Sequence, residues 1–326
     1  MDVGTKYKRE KYMNTGTKYK PRTYRQELFR NMRTQKELWL ISIPIIAWLI
    51  LFFYVPMWGV SIAFLDFRPG RSIMDSPWVG LQHFEWFFSQ PIFMALLRNT
   101  LVMSLLGMTF GFAAPIVFAL SLNEVHFTRV KKGIQTISYL PHFISWVAAG
   151  AMLRSILATE GAFNSFLMTV GLIDTGIPWL SQGNLYWTIF TIANIWKGMG
   201  WASIIYIAAI TSVDPSLMEA CAIDGGGRAR MVWHIILPTI VPTIIMLWIL
   251  GIGGILTAGF EEHLILGTPL TQPYWDVFDT YVFRFGIQNG NFAIATAVGL
   301  WRSVIGFALV LLTNWICKRK LAVALI

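Results

Sequence analysis

The chain has 326 residues, of which 55% are hydrophobic and only 13% are charged, and its mean hydropathy is +0.56. Soluble domains usually carry about 25% charged residues, so this composition excludes an ordinary soluble protein and indicates one whose surface is largely covered by lipid. The formal net charge of +9 does not indicate a nucleic-acid-binding protein, because 11 of the 26 basic residues lie within residues 1–36, beside the first apolar stretch.

The first predicted element is this basic tail, residues 1–36. It contains no apolar core and no small-residue cleavage site, so it does not have the pattern of a signal peptide. A cluster of Lys and Arg beside a membrane span is a topology signal, and it also attracts anionic lipid head groups. The sequence therefore predicts a cytoplasmic N-terminal tail.

Apolar stretches long enough to cross a bilayer, which requires about 20 residues each, follow the tail. They predict an all-α integral membrane protein with six transmembrane helices, at residues 39–64, 99–121, 134–157, 185–211, 237–260 and 291–316. The third and fourth stretches are interrupted by prolines or polar residues. Residues 321–326 are predicted to form a short C-terminal tail.

Basic residues are distributed unevenly around these spans. The N-terminal tail, the 122–133 loop, the 212–236 loop and the C-terminus carry 19 of them, whereas the other three loops carry four. An excess of Lys and Arg marks the cytoplasmic side, so both termini are predicted to be cytoplasmic. The aromatic-rich loops are then predicted to face outward, at residues 66–98, 158–184 and 261–290.

The motifs of common catalytic and metal sites are absent from the sequence. It has no GxxxxGK[ST], GxSxG or HExxH motif, and no set of His, Cys or carboxylates has metal-ligand spacing. The two cysteines, Cys221 and Cys317, cannot form a disulfide framework. All 17 acidic residues fall outside the six spans, which argues against an ion-coupled carrier with an intramembrane carboxylate. We therefore expect no catalytic residue and no metal site.

Two basic side chains, Lys197 and Arg302, lie inside the fourth and sixth spans. A buried cation is costly unless it faces water or a partner. Two alternatives remain open for each residue. It either lines a passage through the membrane or pairs with backbone carbonyls and polar groups in a packed interior.

The polar turn MEACAIDGGGRARMVWHIILP, residues 218–238, interrupts the apolar sequence. Asp214-Pro215-Ser216 is a helix-start signal, and Ser216 with Glu219 fits a capping box. Residues 217–223 then predict about two helical turns, which three glycines stop, and Pro238 suits the first turn of the next span. A simple connector would explain the glycines, but not a small-residue helix with one isolated Glu on a basic face.

The spacing of this turn resembles the cytoplasmic EAA loop of bacterial ABC-importer permeases, whose pattern is EAA-x-x-DGA followed by I-x-LP. The matching residues are Glu219, Ala220, Cys221, Asp224, Gly225 and Pro238. Cys221 replaces the second Ala of the pattern, and Gly226 replaces the Ala after DG. Both replacements are small, so we expect the fit of this segment into a groove to survive.

The resemblance extends over residues 38–320. It is carried by PMWG at 56–59, SPWVGL at 76–81, YLPHF at 139–143 and ATAVGL at 295–300, among others. These motifs are similar to the polysaccharide- and oligosaccharide-importing branch of the maltose-type permeases, and particularly to the first permease subunits of bacterial alginate importers. The resemblance implies the type I ABC importer fold, with a permease domain at 37–320 and a coupling loop at 213–238.

By this resemblance the chain would be a non-catalytic subunit of an ATP-driven sugar importer in the bacterial inner membrane. The EAA segment would be a coupling helix that docks in a cleft of a separate ATPase, with Glu219 paired to a basic residue there. Two such ATPase subunits, and not this chain, would bind ATP and Mg. A second permease subunit would complete a heterodimer, and a solute-binding protein would deliver the saccharide. An ATPase-independent sugar channel or facilitator is the alternative.

In such a permease, spans four to six would line the substrate path. The candidate residues there are Trp196, Lys197, Trp201, Trp301 and Arg302. Aromatic faces stack on sugar rings, and the two cations suit a uronate carboxylate, which favours an acidic, alginate-like saccharide over a neutral one. For each tryptophan taken singly, helix packing or lipid contact is the alternative role.

Overall fold

The structure is a computed structural model that describes residues 35–321. Most of these residues are helical, and the β structure in this range is limited to one antiparallel bridge between Leu65 and Trp78. The predicted all-α class is confirmed. The predicted tails, residues 1–36 and 321–326, lie outside the described residues except at their inner ends.

The chain divides into two compact units, Met1–Val60 and Ser61–Ile326. The helical segments, in chain order, are α1 (Lys36–Phe64), α2 (Gln82–Phe88), α3 (Ile92–Asn123), α4 (Thr128–Phe143), α5 (Trp146–Ile156), α6 (Ala162–Thr169), α7 (Gly183–Thr211), α8 (Pro215–Ile223), α9 (Arg228–Gly253), α10 (Glu261–Leu266), α11 (Gln272–Trp275), α12 (Phe278–Tyr281) and α13 (Phe292–Leu321). Shorter helical turns lie at Trp179–Ser181, Pro269–Thr271 and Val282–Gln288.

Within the described residues, α1, α3, α9 and α13 are each long and apolar enough to cross a membrane. Helix α7 forms a fifth candidate together with α8, which is bent from it by 70°. The third predicted span, 134–157, is instead two helices, α4 and α5, separated by extended residues at Ile144 and Ser145. The six predicted spans therefore correspond to four unbroken helices, one bent pair and one broken helix.

The fifth span begins earlier than predicted. Helix α9 covers Arg228–Gly253, rather than 237–260, so Pro238 lies inside a helix and not in its first turn. The π-helical turn Val232–Ile236 directly precedes this proline. A proline ring clashes with the carbonyl four residues before it, and the wider π turn supplies the room. The residue four positions before the proline also lies in a π turn at Pro56, with the turn Ile50–Tyr54, and at Pro115, with the turn Gly107–Gly111.

Helix α7 is the central element of the unit Ser61–Ile326, where it packs against α3, α4 and α9. Its approach to α4 is close. A Cβ added at Gly200 would lie 2.0 Å from the carbonyl oxygen of Ser138. Glycine is therefore required at this helix crossing, as is common where membrane helices pack closely.

Candidate functional site

Helix α8, Pro215–Ile223, is the first candidate site, and local capping sets its start. Its N-cap is Asp214, whose Oδ1 accepts a hydrogen bond from the backbone N–H of Ser216 at 2.9 Å. The predicted capping box between Ser216 and Glu219 is therefore wrong. Pro215, whose ring fixes the backbone angle of a first helical residue, is the first residue of the helix, so the helix begins two residues earlier than that box requires. The hydrogen bond from Ser216 lowers the pKa of the Asp214 carboxyl.

The end of α8 follows the prediction from the glycines. Gly225 has φ +76°, a conformation that only glycine adopts without strain. Its N–H donates to the carbonyl of Ala222 at 3.1 Å, and the N–H of Gly226 donates to the carbonyl of Cys221 at 2.8 Å. This pair of bonds is the Schellman arrangement, which satisfies the last carbonyls of a helix and stops it sharply.

The two departures from the EAA pattern lie in contact with each other. A Cβ placed on Gly226 would lie 2.3 Å from the Sγ atom of Cys221. The sulfur of Cys221 thus occupies the space that an alanine side chain at position 226 would need. The backbone carbonyl oxygen of Cys221 would also lie 2.8 Å from that Cβ, so both the side chain and the backbone of residue 221 favour Gly at position 226.

The surface of α8 combines apolar and acidic side chains. Leu217 is 50% exposed and Ile223 is 87% exposed. Glu219 is also exposed, and no cation within residues 35–321 forms an ion pair with it. Exposed apolar side chains beside an unpaired charge are typical of a protein-docking surface.

Arg228 links the region after α8 to the loop between α3 and α4. Its Nε atom lies 3.8 Å from Oε2 of Glu124, and its Nη2 atom lies 3.5 Å from Nε2 of His126. The two loops that were predicted to be cytoplasmic therefore lie side by side. An exposed pair of this kind adds little stability, so its role is to set the relative position of the loops.

The second candidate site is a cavity of about 330 Å³ between α3, α7 and the end of α9. Its polar lining consists of Ser104, Thr191, Asn194 and Thr257. The Ser104 hydroxyl is buried and has no hydrogen-bond partner among the described residues. The cavity therefore offers hydroxyl and amide groups, but no charge, to a polar ligand.

Sequence reasoning missed these cavity residues. A signal was present in the glycines that widen the cavity, Gly107 and Gly111 on α3 and Gly251 and Gly254 at the end of α9. Small residues at spacings of three or four leave a groove on one helix face. Which face of each helix points inward is not visible in the sequence.

Two of the predicted path residues follow Asn194 along the same face of α7, because Lys197 and Trp201 continue its spacing of three and four. Lys197 Nζ donates to the carbonyl of His142 at 2.9 Å and lies 5.5 Å from the ring centre of Trp146. The ring of Trp201 stacks on the His142 imidazole with a centroid distance of 4.7 Å. A cation is favourable at a helix C-terminus, so Lys197 stabilises the end of α4 at the break.

The other three predicted path residues lie elsewhere. Trp196 lines a separate, apolar cavity of about 590 Å³ between α5, α6 and α7. Trp301 packs edge-on against Phe278 in an aromatic cluster. Arg302 donates to Oδ1 of Asp279 at 2.8 Å and to the Thr257 hydroxyl at 2.9 Å. The sequence left two alternatives for Lys197 and Arg302, lining a passage or pairing with polar groups. Both side chains make contacts of the second kind.

Ionisable groups gather next to Arg302. His263 is fully buried between the Tyr186 hydroxyl and the carbonyl of Ala258, each 3.0 Å from one of its ring nitrogens. Burial lowers the pKa of His263 to about 4. Burial also raises the pKa of the Glu262 carboxyl, and the nearby Asp279 adds to that rise. Within the described residues, no group of three His, Cys, Asp or Glu side chains is placed to hold a metal ion.

The chain is similar to known proteins over most of its length, although no protein-family model matches it. It is 41% identical over 296 residues to the polygalacturonan/rhamnogalacturonan transport system permease protein YteP of Bacillus subtilis (strain 168). The match covers 90% of this chain and 92% of YteP. It also matches a chain in the crystal structure of a bacterial ABC transporter involved in the import of the acidic polysaccharide alginate. That match has a TM-score of 0.83 and 37% identity, and covers 90% of this chain and 99% of the other.

A second solved structure is of a bacterial alginate ABC transporter in complex with an alginate pentasaccharide-bound periplasmic protein. Its matching chain has a TM-score of 0.83 and 36% identity, and the match covers 91% of this chain and 99% of that chain. Both structural matches span nearly the whole of the other chain. The similarity therefore concerns the complete helical architecture, and not one motif.

Proposed function

The chain belongs to the permease subunits of ABC transporters that import sugars and polysaccharides, and on this premise we propose that it forms half of the membrane pathway of an ATP-driven importer of acidic saccharides. The observation that carries the proposal is the exposed helix α8, whose Glu219 forms no ion pair with any cation of residues 35–321. The proposed site is the bacterial inner membrane, with both termini in the cytoplasm, as the distribution of basic residues favours.

The coupling role of α8 rests on its shape and its surface. The helix is short, capped at both ends, and turned by 70° from α7, so a push on it is transmitted to the span. Leu217 and Ile223 supply apolar contacts for a groove on an ATPase subunit, and Glu219 supplies a charge that fixes the register. Ala220, Cys221, Asp224 and Gly225 keep the intervening surface small and close the helix. ATP and Mg would be bound by two ATPase subunits and not by this chain.

The pathway would run through the cavity of about 330 Å³ and then along the face of α7 that carries Asn194, Lys197 and Trp201. The polar groups of the cavity suit sugar hydroxyls, and Lys197 lies one helical turn beyond Asn194. The acidic character of the substrate is supported by the similarity to a protein named for polygalacturonan transport and to an importer of the acidic polysaccharide alginate. A second permease subunit would supply the other half, and a periplasmic binding protein would deliver the saccharide, as in the similar complex.

Replacing Glu219 by Lys tests the proposal. In cells that express the complete transporter, Glu219→Lys should abolish ATP-dependent uptake of a uronate oligosaccharide while the protein still reaches the membrane, because the new charge repels the basic partner. Ser212→Lys is the control for a new lysine on this side of the protein, since it introduces one at an exposed position outside α8 and should leave uptake intact. Normal uptake by Glu219→Lys, or sugar flux through this chain reconstituted without ATPases, would contradict the proposal and favour a facilitator.

A further inference from the structure

The arginines near the outer ends of the helices fall into two classes. Arg284 pairs with Asp276 and Arg302 pairs with Asp279, so the charge of each is neutralised by a largely buried carboxylate. Arg98 and Arg154 are different. Both are exposed, and neither forms an ion pair with a carboxylate within residues 35–321. Their positive charges are therefore uncompensated.

Both side chains are nevertheless held in place. Arg154 on α5 donates from Nε and Nη2 to the carbonyls of Ile265 and Gly267, at 2.6 and 3.0 Å. Arg98 on α3 donates from Nη2 to the carbonyl of Pro273 at 2.7 Å. Carbonyl oxygens orient a guanidinium group but do not cancel its charge. The two arginines thus fasten the same stretch, residues 265–273, from two sides.

Further hydrogen bonds fix the conformation of the 265–273 stretch. The hydroxyls of Thr268 and Thr271 each accept the backbone N–H of the other residue, which closes a reciprocal cap. The indole N–H of Trp275 donates to the carbonyl of Thr268 at 2.8 Å. The buried amide of Asn99 donates to the carbonyls of Pro273 and Asp276, both at 2.9 Å. Because the two arginine side chains are already held in place, binding of a ligand to them costs little side-chain entropy.

Aromatic rings flank one of the two arginines. The Arg98 guanidinium lies 5.6 Å from the ring centres of both Trp187 and Tyr274. The indole N–H of Trp187 donates to the carbonyl of Tyr274 at 2.8 Å, so the two rings keep a fixed relation. A guanidinium beside aromatic faces is weakly hydrated. Nε and Nη2 of Arg98 donate to Oδ1 of Asn99 and to the carbonyl of Pro273, so Nη1 is the group that can donate to a carboxylate. Aromatic rings also stack on the apolar faces of sugar rings.

We propose that Arg98 and Arg154 form a binding site for uronate carboxylates at the outer mouth of the pathway, and that this site selects acidic over neutral saccharide chains. The inference rests on the proposed function and deepens it. It places charge recognition on α3, α5 and the 265–273 stretch, ahead of the uncharged cavity. The charge-neutral surroundings of Arg302 make that residue the poorer candidate for the same task.

The test compares two substrates in the complete transporter with its binding protein, reconstituted in liposomes. One is a uronate oligosaccharide, and the other is the same oligosaccharide with its carboxyl groups reduced to alcohols. Since the binding protein is the same throughout, a changed preference between the substrates reports on the permease. The variants are Arg98→Gln, Arg154→Gln, their double, and the charge-retaining Arg98→Lys and Arg154→Lys. Arg71→Gln, at an exposed arginine of the outward loop 66–98, is the matched control.

Each Gln variant should reduce the preference for the uronate about fivefold, the size expected for one partly exposed charge contact, and Arg71→Gln should not. The Lys variants should keep most of the preference, and raising the salt concentration should weaken it; these two arms decide the question if the Gln variants do not assemble. Unchanged preference in all variants, with uronate uptake intact, would overturn this inference alone. Absence of ATP-driven uronate uptake in the unmodified transporter would overturn the proposed function as well. An effect that appears only with anionic lipids would assign the arginines to lipid phosphates and overturn the saccharide site.

Discussion

Arg302 on α13 and Asp279 on α12 form an ion pair, with Nη2 and Oδ1 2.8 Å apart and side-chain exposures of only 12% and 19%. The pair fastens the last span to the short helix α12 that precedes it in the chain. Arg302 also donates to the hydroxyl of Thr257, which lines the central cavity. Arg302 therefore connects a buried ion pair to a residue that lines the central cavity.

Arg302→Met should destabilise the protein, because it leaves the Asp279 carboxylate buried without its partner. Removal of one member of a buried pair costs about 3 kcal/mol or more, whereas replacing both members by apolar residues costs much less. The measurement is thermal unfolding of the purified permease, with Arg302→Met/Asp279→Leu as the comparison. An unchanged melting temperature in Arg302→Met, with uronate transport lost, would instead make Arg302 chiefly a substrate contact.

Gly200→Ala should separate α7 from α4 and lower stability. The new Cβ would lie 2.0 Å from a backbone carbonyl, which cannot move without shifting α4, and overpacking of this kind costs about 1–3 kcal/mol. Gly198→Ala, two residues away, meets nothing within 4 Å and should be neutral or slightly stabilising. The check is the unfolding midpoint of the two variants under the same conditions. Equal midpoints would show that the two helices are not packed this closely.

His263 should make the protein less stable as the pH falls from about 6.5 toward 4, because the unfolded chain takes up a proton in this window and the buried imidazole does not. The loss should approach about 3 kcal/mol at the lower limit. His263→Gln keeps a polar group but removes the titration. The free energy of unfolding of this variant, measured between pH 6.5 and 4, should therefore depend less on pH than that of the original protein.

Glu262 acts with the opposite sign in the same experiment. Its raised pKa means that its protonation on acidification favours the folded state. The difference between the original protein and His263→Gln therefore isolates the histidine. Parallel pH profiles for the two proteins would rule out this role for His263.

Ser104→Ala should raise stability slightly and weaken saccharide transport. The buried hydroxyl has no described partner, so its removal relieves an unsatisfied group in the empty protein. If a sugar hydroxyl supplies the partner during transport, the same change should raise the half-saturating concentration about fivefold, the value of one neutral hydrogen bond. Asn194→Ala should act on transport in the same direction. Unaltered uptake in both variants would exclude the cavity from the path.

Cys221 should react with a membrane-impermeant thiol reagent in inside-out vesicles and not in sealed right-side-out cells. It is partly exposed, whereas Cys317 is buried, so the labelled site is readily assigned by comparison with Cys221→Ser. Labelling from outside would place α8 on the wrong side of the membrane for contact with a cytoplasmic ATPase.

The sequence by itself determined the class of the protein and the position of α8. Every backbone polar group inside a bilayer must be satisfied within the segment, so long apolar stretches become helices whatever their neighbours are. The turn after α8 was equally local, since Gly225 needs a positive φ and the two hydrogen bonds that close the turn reach only three and five residues back. The resemblance to importer permeases, carried by the same short segment, agrees with the similarity to YteP.

Tertiary contacts alone decided where spans break and which polar residues meet. The gap between α4 and α5 is stabilised by Lys197, a residue more than fifty positions later in the chain. The cavity arises where Ser104 of α3, Asn194 of α7 and Thr257 of the loop after α9 line one space. Hydropathy records how much of a helix is apolar, but nearly uniform apolar helices leave their rotation undetermined. Packing of small residues, such as Gly200 of α7 against Ser138 of α4, sets the rotation of the helices that it joins.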